Sequence, residues 1–248
     1  MSDAEVLQKW HRLHEGSALT RDFLKTGEYP DNFQNKTLLL KLIAEIRNRL
    51  CSISWFMKSL NQYIARRANK EDGCTGHFWE GRFFAQIILD DSALILTMLY
   101  VDLNPFRAGL VNLPEQAIYT SLYRRITALR MGVKLSFLRS FMDIPCQNPK
   151  DCIPISCKDY LILVDFMTLK ASNNKYKSSS TKSPPVLERL NFSEESLVEF
   201  TGNVETLFPV AIGNENAMNR FKEATGRSRL KGAINAMRLY KQSGKKLN

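Results

Sequence analysis

A run of β-forming residues at 83–89 leads straight into two aspartates and then into an apolar stretch of helical period that meets Asn104 and Pro105. This strand-then-helix order limits what the chain can build more than any other feature. Phe84, Ile87, Ile88 and Leu89 favour extended backbone. Asp90 or Asp91 can cap a helix through its first free N–H groups. Leu96, Leu99 and Leu103 then fall on one helical face. The pattern predicts a strand over 83–89 and a helix over 92–103, ended at Asn104 because proline disfavours helical backbone in the residue before it.

Helical period also dominates elsewhere. Helices are expected over residues 3–13, ended by Gly16, over 17–24, over 36–50 and over 53–69. Beyond Pro114 they are expected over 122–131, 135–142 and 158–169, and in the C-terminal part over 193–200, 215–224 and 228–240. Residues 172–185 are poor in apolar side chains and read as a linker. The fold class is thus mostly α-helical, with one or two strands and a C-terminal helical module.

Charge narrows the choice of partner. The formal net charge is +10, and from Asn219 onward nine Lys and Arg residues stand against Glu223 alone. Such a surplus favours polyanions, nucleic acid above all. Arg227, Arg229 and Lys231 form its centre, and with the helix that follows they could make a DNA-binding element. No apolar run approaches the ~20 residues that span a bilayer. The five cysteines follow no usual zinc spacing, Cys146, Cys152 and Cys157 included, so reduced thiols in a cytoplasmic protein are expected.

Within the central helix, Tyr100 and Asn104 are four residues apart and share a face. A tyrosine hydroxyl can act as a covalent nucleophile if its target is polarised, and an amide oxygen suits a hard cation. The plain alternative is a packed aromatic and a helix terminator. Arg82, Arg107, Trp79 and Phe78 have two readings as well. They suit phosphate and unpaired bases; equally, the rings can pack under the helix and Arg82 can pair with Glu80 or Asp90.

The run His77-Phe78-Trp79-Glu80-Gly81-Arg82-Phe83, followed by Leu99-Tyr100-Val101-Asp102-Leu103-Asn104-Pro105-Phe106-Arg107-Ala108-Gly109, resembles the single-tyrosine HUH transposases, in the branch related to REP-associated tyrosine transposases. The resemblance extends over about residues 5–113. It implies a remnant of an α+β, ferredoxin-like core and an enzyme that nicks and rejoins single-stranded or hairpin DNA with Mg²⁺ or Mn²⁺. Tyr100 matches the nucleophile that forms a 5′-phosphotyrosine link, and Asn104 matches the third metal ligand. The family's other two ligands are a His-hydrophobic-His pair on a central strand.

This chain holds His11, His14 and His77 and no His-x-His. It starts just after the segment that carries the pair in the family, which implies an N-terminally truncated or internally initiated transposase, catalytically impaired. Loss of central strands would leave the 83–89 strand with an unpaired edge, which a homodimer could cover. The expected divisions are a partial transposase domain over 1–113, a helical extension over 114–172, a linker over 173–185 and a basic helical module over 186–248. The alternatives to an enzyme are a DNA-binding remnant without cleavage and an inert relic of a mobile element.

Overall fold

The computed structural model describes residues 1–144, 151–173 and 183–240. Cys146, most of the expected linker, and Lys241, Lys245 and Lys246 lie outside them. The chain divides into two compact units, Met1–Phe84 and Ala85–Asn248. The boundary falls inside the stretch that the resemblance treats as continuous.

In the first unit, Ser2 caps α1 (Asp3–His11) with a full capping box, its side chain and that of Glu5 each taking the other's backbone N–H. Ser17 caps α2 (Ala18–Thr26), and Asn32 caps α3 (Phe33–Leu50). Val6 and Leu7 of α1, Phe23 of α2, and Leu39, Ile43 and Ile46 of α3 close a small core. α4 (Ile53–Glu71) follows Ser52 as its cap and contributes no buried residue.

The second unit is built around α5 (Asp91–Arg107), which buries Ile95, Leu96, Leu99 and Leu103. Burying such a side chain fully contributes about 1.5–3 kcal/mol. The helix does not stop at Asn104–Pro105 as expected; Pro105 lies inside its last turn. Only one intrahelical bond is lost to the proline, that to Val101, and Ala108 and Leu110 N–H still bond the Asn104 and Pro105 carbonyls at 2.9 Å each. The strand is also shorter than expected. β1 spans only Ile87–Ile88 and pairs in parallel with β2 (Ala211–Ile212), so the C-terminal module, 124 residues away in register, covers one of its edges.

Asp90 ties this pair to α5. Its carboxylate accepts the Ala93 N–H at 2.8 Å as helix cap and the Asn214 N–H at 2.6 Å beyond β2. Gly213 permits that approach, since a Cβ there would stand 2.9 Å from the Leu89 side chain and 3.1 Å from the Asp90 carboxylate.

Around α5 lie α6 (Ser121–Met131), α7 (Cys157–Asn173), α8 (Pro185–Arg189), α9 (Glu194–Leu207), α10 (Glu215–Ala224) and α11 (Ala233–Leu239). Residues 135–142 form no helix; Phe141 instead bridges to Ile153 and is buried. The helix expected from 228 begins only at Ala233, because Gly232 takes φ +95 and tucks against the Leu207 carbonyl and Phe208, where a Cβ would stand at 3.0 Å from each. Among the described residues no helix is long and apolar enough to cross a membrane. Cys51, Cys74 and Cys157 are free thiols, whereas Cys152, expected reduced, is disulfide-bonded.

One buried charge joins three helices. Asp102 of α5 is 1% exposed. It accepts the Ser121 hydroxyl at 3.0 Å and the Leu122 N–H at 3.2 Å from the start of α6, and the Tyr160 hydroxyl of α7 at 2.6 Å. The helix N-terminus favours the anion. Burial pushes the Tyr160 phenol well above its ordinary pKa, and the Asp102 charge adds to that. Burial also lowers the Arg125 pKa, while Asp102 acts in the opposite sense; the guanidinium rests 4.5 Å from the Phe141 ring. Tyr160→Phe should therefore destabilise this unit by about 1.5–3 kcal/mol, the worth of a hydrogen bond to a charged group, seen as a lower urea midpoint at unchanged slope. Asp102→Ala should destabilise it by about 2–6 kcal/mol, ~1–3 for each of the buried Tyr160 hydroxyl and Leu122 N–H that lose their acceptor.

Candidate tyrosine site and basic surface

Tyr100 leaves α5 on the side of α9. Its hydroxyl donates to Glu205 Oε1 at 3.1 Å, and the Arg107 guanidinium lies 5.7 Å from its ring centre. Burial raises the phenol's pKa first, and the Glu205 bond and charge raise it further; Arg107 works the other way. The net effect keeps the hydroxyl protonated, with its proton directed at a carboxylate.

Arg107, expected to face phosphate, is engaged with α9. Its guanidinium donates to the Thr201 carbonyl and, at 3.3 Å, to the Gly202 carbonyl. The reason is local: Asn203 has φ −141 and ψ 24, which breaks the helix there and frees carbonyls that need donors. Gln86 serves the Phe208 carbonyl and Asn235 the Leu207 carbonyl at 2.8 Å in the same way.

Asn104 is exposed and lines a different feature, an apolar cleft of about 730 Å³ along α5 with Met98, Val101, Pro105 and Ile118. Tyr100 is not part of that lining. The side chains near Asn104 do not suit a divalent metal. Among the described residues no group of three or more His, Cys, Asp or Glu is placed to hold one. Asp102, which shares the cleft, already accepts from Ser121, Leu122 and Tyr160. His11 contacts Thr20 Oγ1 at 3.1 Å, and His14 stacks on Trp10 at 4.0 Å.

The other expected DNA contacts fall into two groups. Trp79 and Arg82 belong to the first unit and Tyr100 to the second. Trp79 donates its indole N–H to the Asn61 carbonyl at 3.0 Å, meets Phe78 edge-on, and remains 42% exposed. Arg82 is exposed and forms no ion pair with Glu80.

Arg227, Arg229 and Lys231 stand on the exposed connection between α10 and α11. Buried Leu230 and the Gly232 turn tie this connection down. Arg220 and Lys222 precede it on α10, and none of the five cations forms an ion pair among the described residues. Arg238, by contrast, is held by both Glu199 oxygens at 2.6 and 2.5 Å.

Sequence patterns could not locate Glu205, which reaches Tyr100 across 105 residues. Asp102 carried a faint signal, a charge on the apolar side of the helix between Leu99 and Leu103. Glu205→Gln should lower the Tyr100 pKa toward its ordinary value without reaching it, because burial remains; a phenolate absorbance titration reads this. The stability that the raised pKa contributes is fully present below the unfolded pKa of about 10 and is lost as pH rises through the folded value. The variant should lose less than the parent over that alkaline range. No family model, curated protein sequence or solved structure matches this chain.

Proposed function

We propose that this chain is a transposase-related DNA-binding protein that grips single-stranded or hairpin DNA and is impaired in cleavage. The observation that carries the reading is the set of cations at Arg220, Lys222, Arg227, Arg229 and Lys231, which form no ion pair among the described residues and are opposed by Glu223 alone along that segment. Cations without carboxylate partners are available to displace counterions from phosphates. The linked motifs around Trp79 and Tyr100 support descent from single-tyrosine transposases, and Tyr100 would be the residue that once attacked the phosphodiester.

Impairment follows from the donors. A phenol bonded to Glu205 and raised in pKa is a poor source of phenoxide, and the amide of Asn104 has no metal-ligand group beside it among the described residues. The protein's own residues therefore support binding without supporting the nucleophilic step.

Labelled hairpin single-stranded DNA incubated with the protein and Mg²⁺ or Mn²⁺ separates the two claims. Binding should weaken linearly in log affinity against log salt, and replacing Arg227, Arg229 and Lys231 together by Gln should reduce the slope by about 2 at ~0.7 per phosphate contact. No covalent adduct should form. An adduct that disappears in Tyr100→Phe would contradict the impairment, and no binding at low salt would contradict DNA binding.

A further inference from the structure

α4 is nineteen residues long and buries none of them. Its first turn is anchored through aromatic and cationic contacts: Trp55 meets Trp10 edge-on at 6.2 Å, and the Arg49 guanidinium lies 4.3 Å from the Trp55 ring. Beyond that, Phe56, Leu60 and Tyr63 recur at the spacing of a core-facing stripe. Yet Phe56 and Tyr63 are each 64% exposed. With Arg66, Arg67 and Lys70 at one end, they line a cleft of about 750 Å³.

The cleft's lining contains no carboxylate. Arg67 is paired with Glu71 at 2.8 Å, while Arg66 and Lys70 form no ion pair among the described residues. Flat apolar rings beside uncompensated cations suit a polyanion that also carries flat apolar faces. Phe56 and Tyr63 are two helical turns apart, about 10.5 Å along the axis, which is about three stacked nucleotides at ~3.4 Å each. A duplex hides the faces of its bases, so the rings need an unpaired strand.

We propose that this cleft binds single-stranded nucleic acid, stacking unpaired bases on Phe56 and Tyr63 while Arg66 and Lys70 hold the phosphates. The inference rests on the DNA-binding reading above and gives it a second surface, on the Met1–Phe84 unit.

The test uses the full chain with a labelled single-stranded oligonucleotide and its duplex at low salt. Phe56→Leu with Tyr63→Leu keeps the exposed sites apolar and removes both π faces. It should weaken single-strand binding about tenfold or more and leave duplex binding unchanged. Arg66→Gln with Lys70→Gln should reduce the single-strand salt slope by about 1.4. Circular dichroism checks that both variants fold.

Parental single-strand affinity in both folded variants would overturn the proposal while leaving DNA binding elsewhere on the chain intact. Equal weakening on single strand and duplex by the aromatic pair would overturn base stacking. Sedimentation in which the parent dimerises and the aromatic variant does not, with oligonucleotide affinity unchanged, would assign the cleft to a second copy instead. No binding by the parent overturns the wider reading and this one with it.

Discussion

The carboxylate of Asp102 is the constraint on which the Ala85–Asn248 unit depends. A buried charge is tolerated only where hydrogen bonds replace its water, and here the donors come from the first turn of α6 and from Tyr160 of α7. Meeting that need places three helices together at one point. The apolar side chains of α5 can then close a core around it. Arg125 is drawn into the same region, partly buried, with the Phe141 ring beneath it. That in turn explains why residues 135–142, expected to be helical, give up helical form: Phe141 is taken into the core and bridges to Ile153.

What was legible in the sequence was local. Apolar period located α1 to α4, α6, α7 and α10 within a few residues, and in the fold Ser2, Ser17, Asn32, Ser52, Thr120 and Asn214 bond the N–H groups that all of these helix starts but that of α7 leave free. What was not legible was non-local. β1 is two residues long because β2 offers it only two, a limit that no property of residues 83–89 reveals. Pro105 reads as a stop, yet a proline in a final turn forfeits a single bond, and packing of α5 outweighs it.

The candidate site divides in the same manner. Tyr100 and Asn104 are one turn apart, as their spacing requires, but their surroundings differ. The phenol is drawn toward Glu205 and Arg107 at α9, and the amide borders an apolar cleft. Arg107 reads as a phosphate contact in sequence and serves the broken end of α9 in the fold. Arg227, Arg229 and Lys231 needed no distant partner, so their exposure could be anticipated from composition alone. The stripe on α4 had every mark of a core-facing helix, and only the fold reveals that its rings stay uncovered.

On the proposed reading, phosphate and base contacts are the chain's central capability, and Tyr100 chemistry is secondary. Hydrogen–deuterium exchange of the full chain with and without single-stranded DNA tests this most directly, because it reports where the strand lies without altering any side chain. The account predicts slower exchange over the 225–232 connection and along residues 53–71, with α7 unchanged. Unaltered exchange in both segments while the DNA is bound would contradict it.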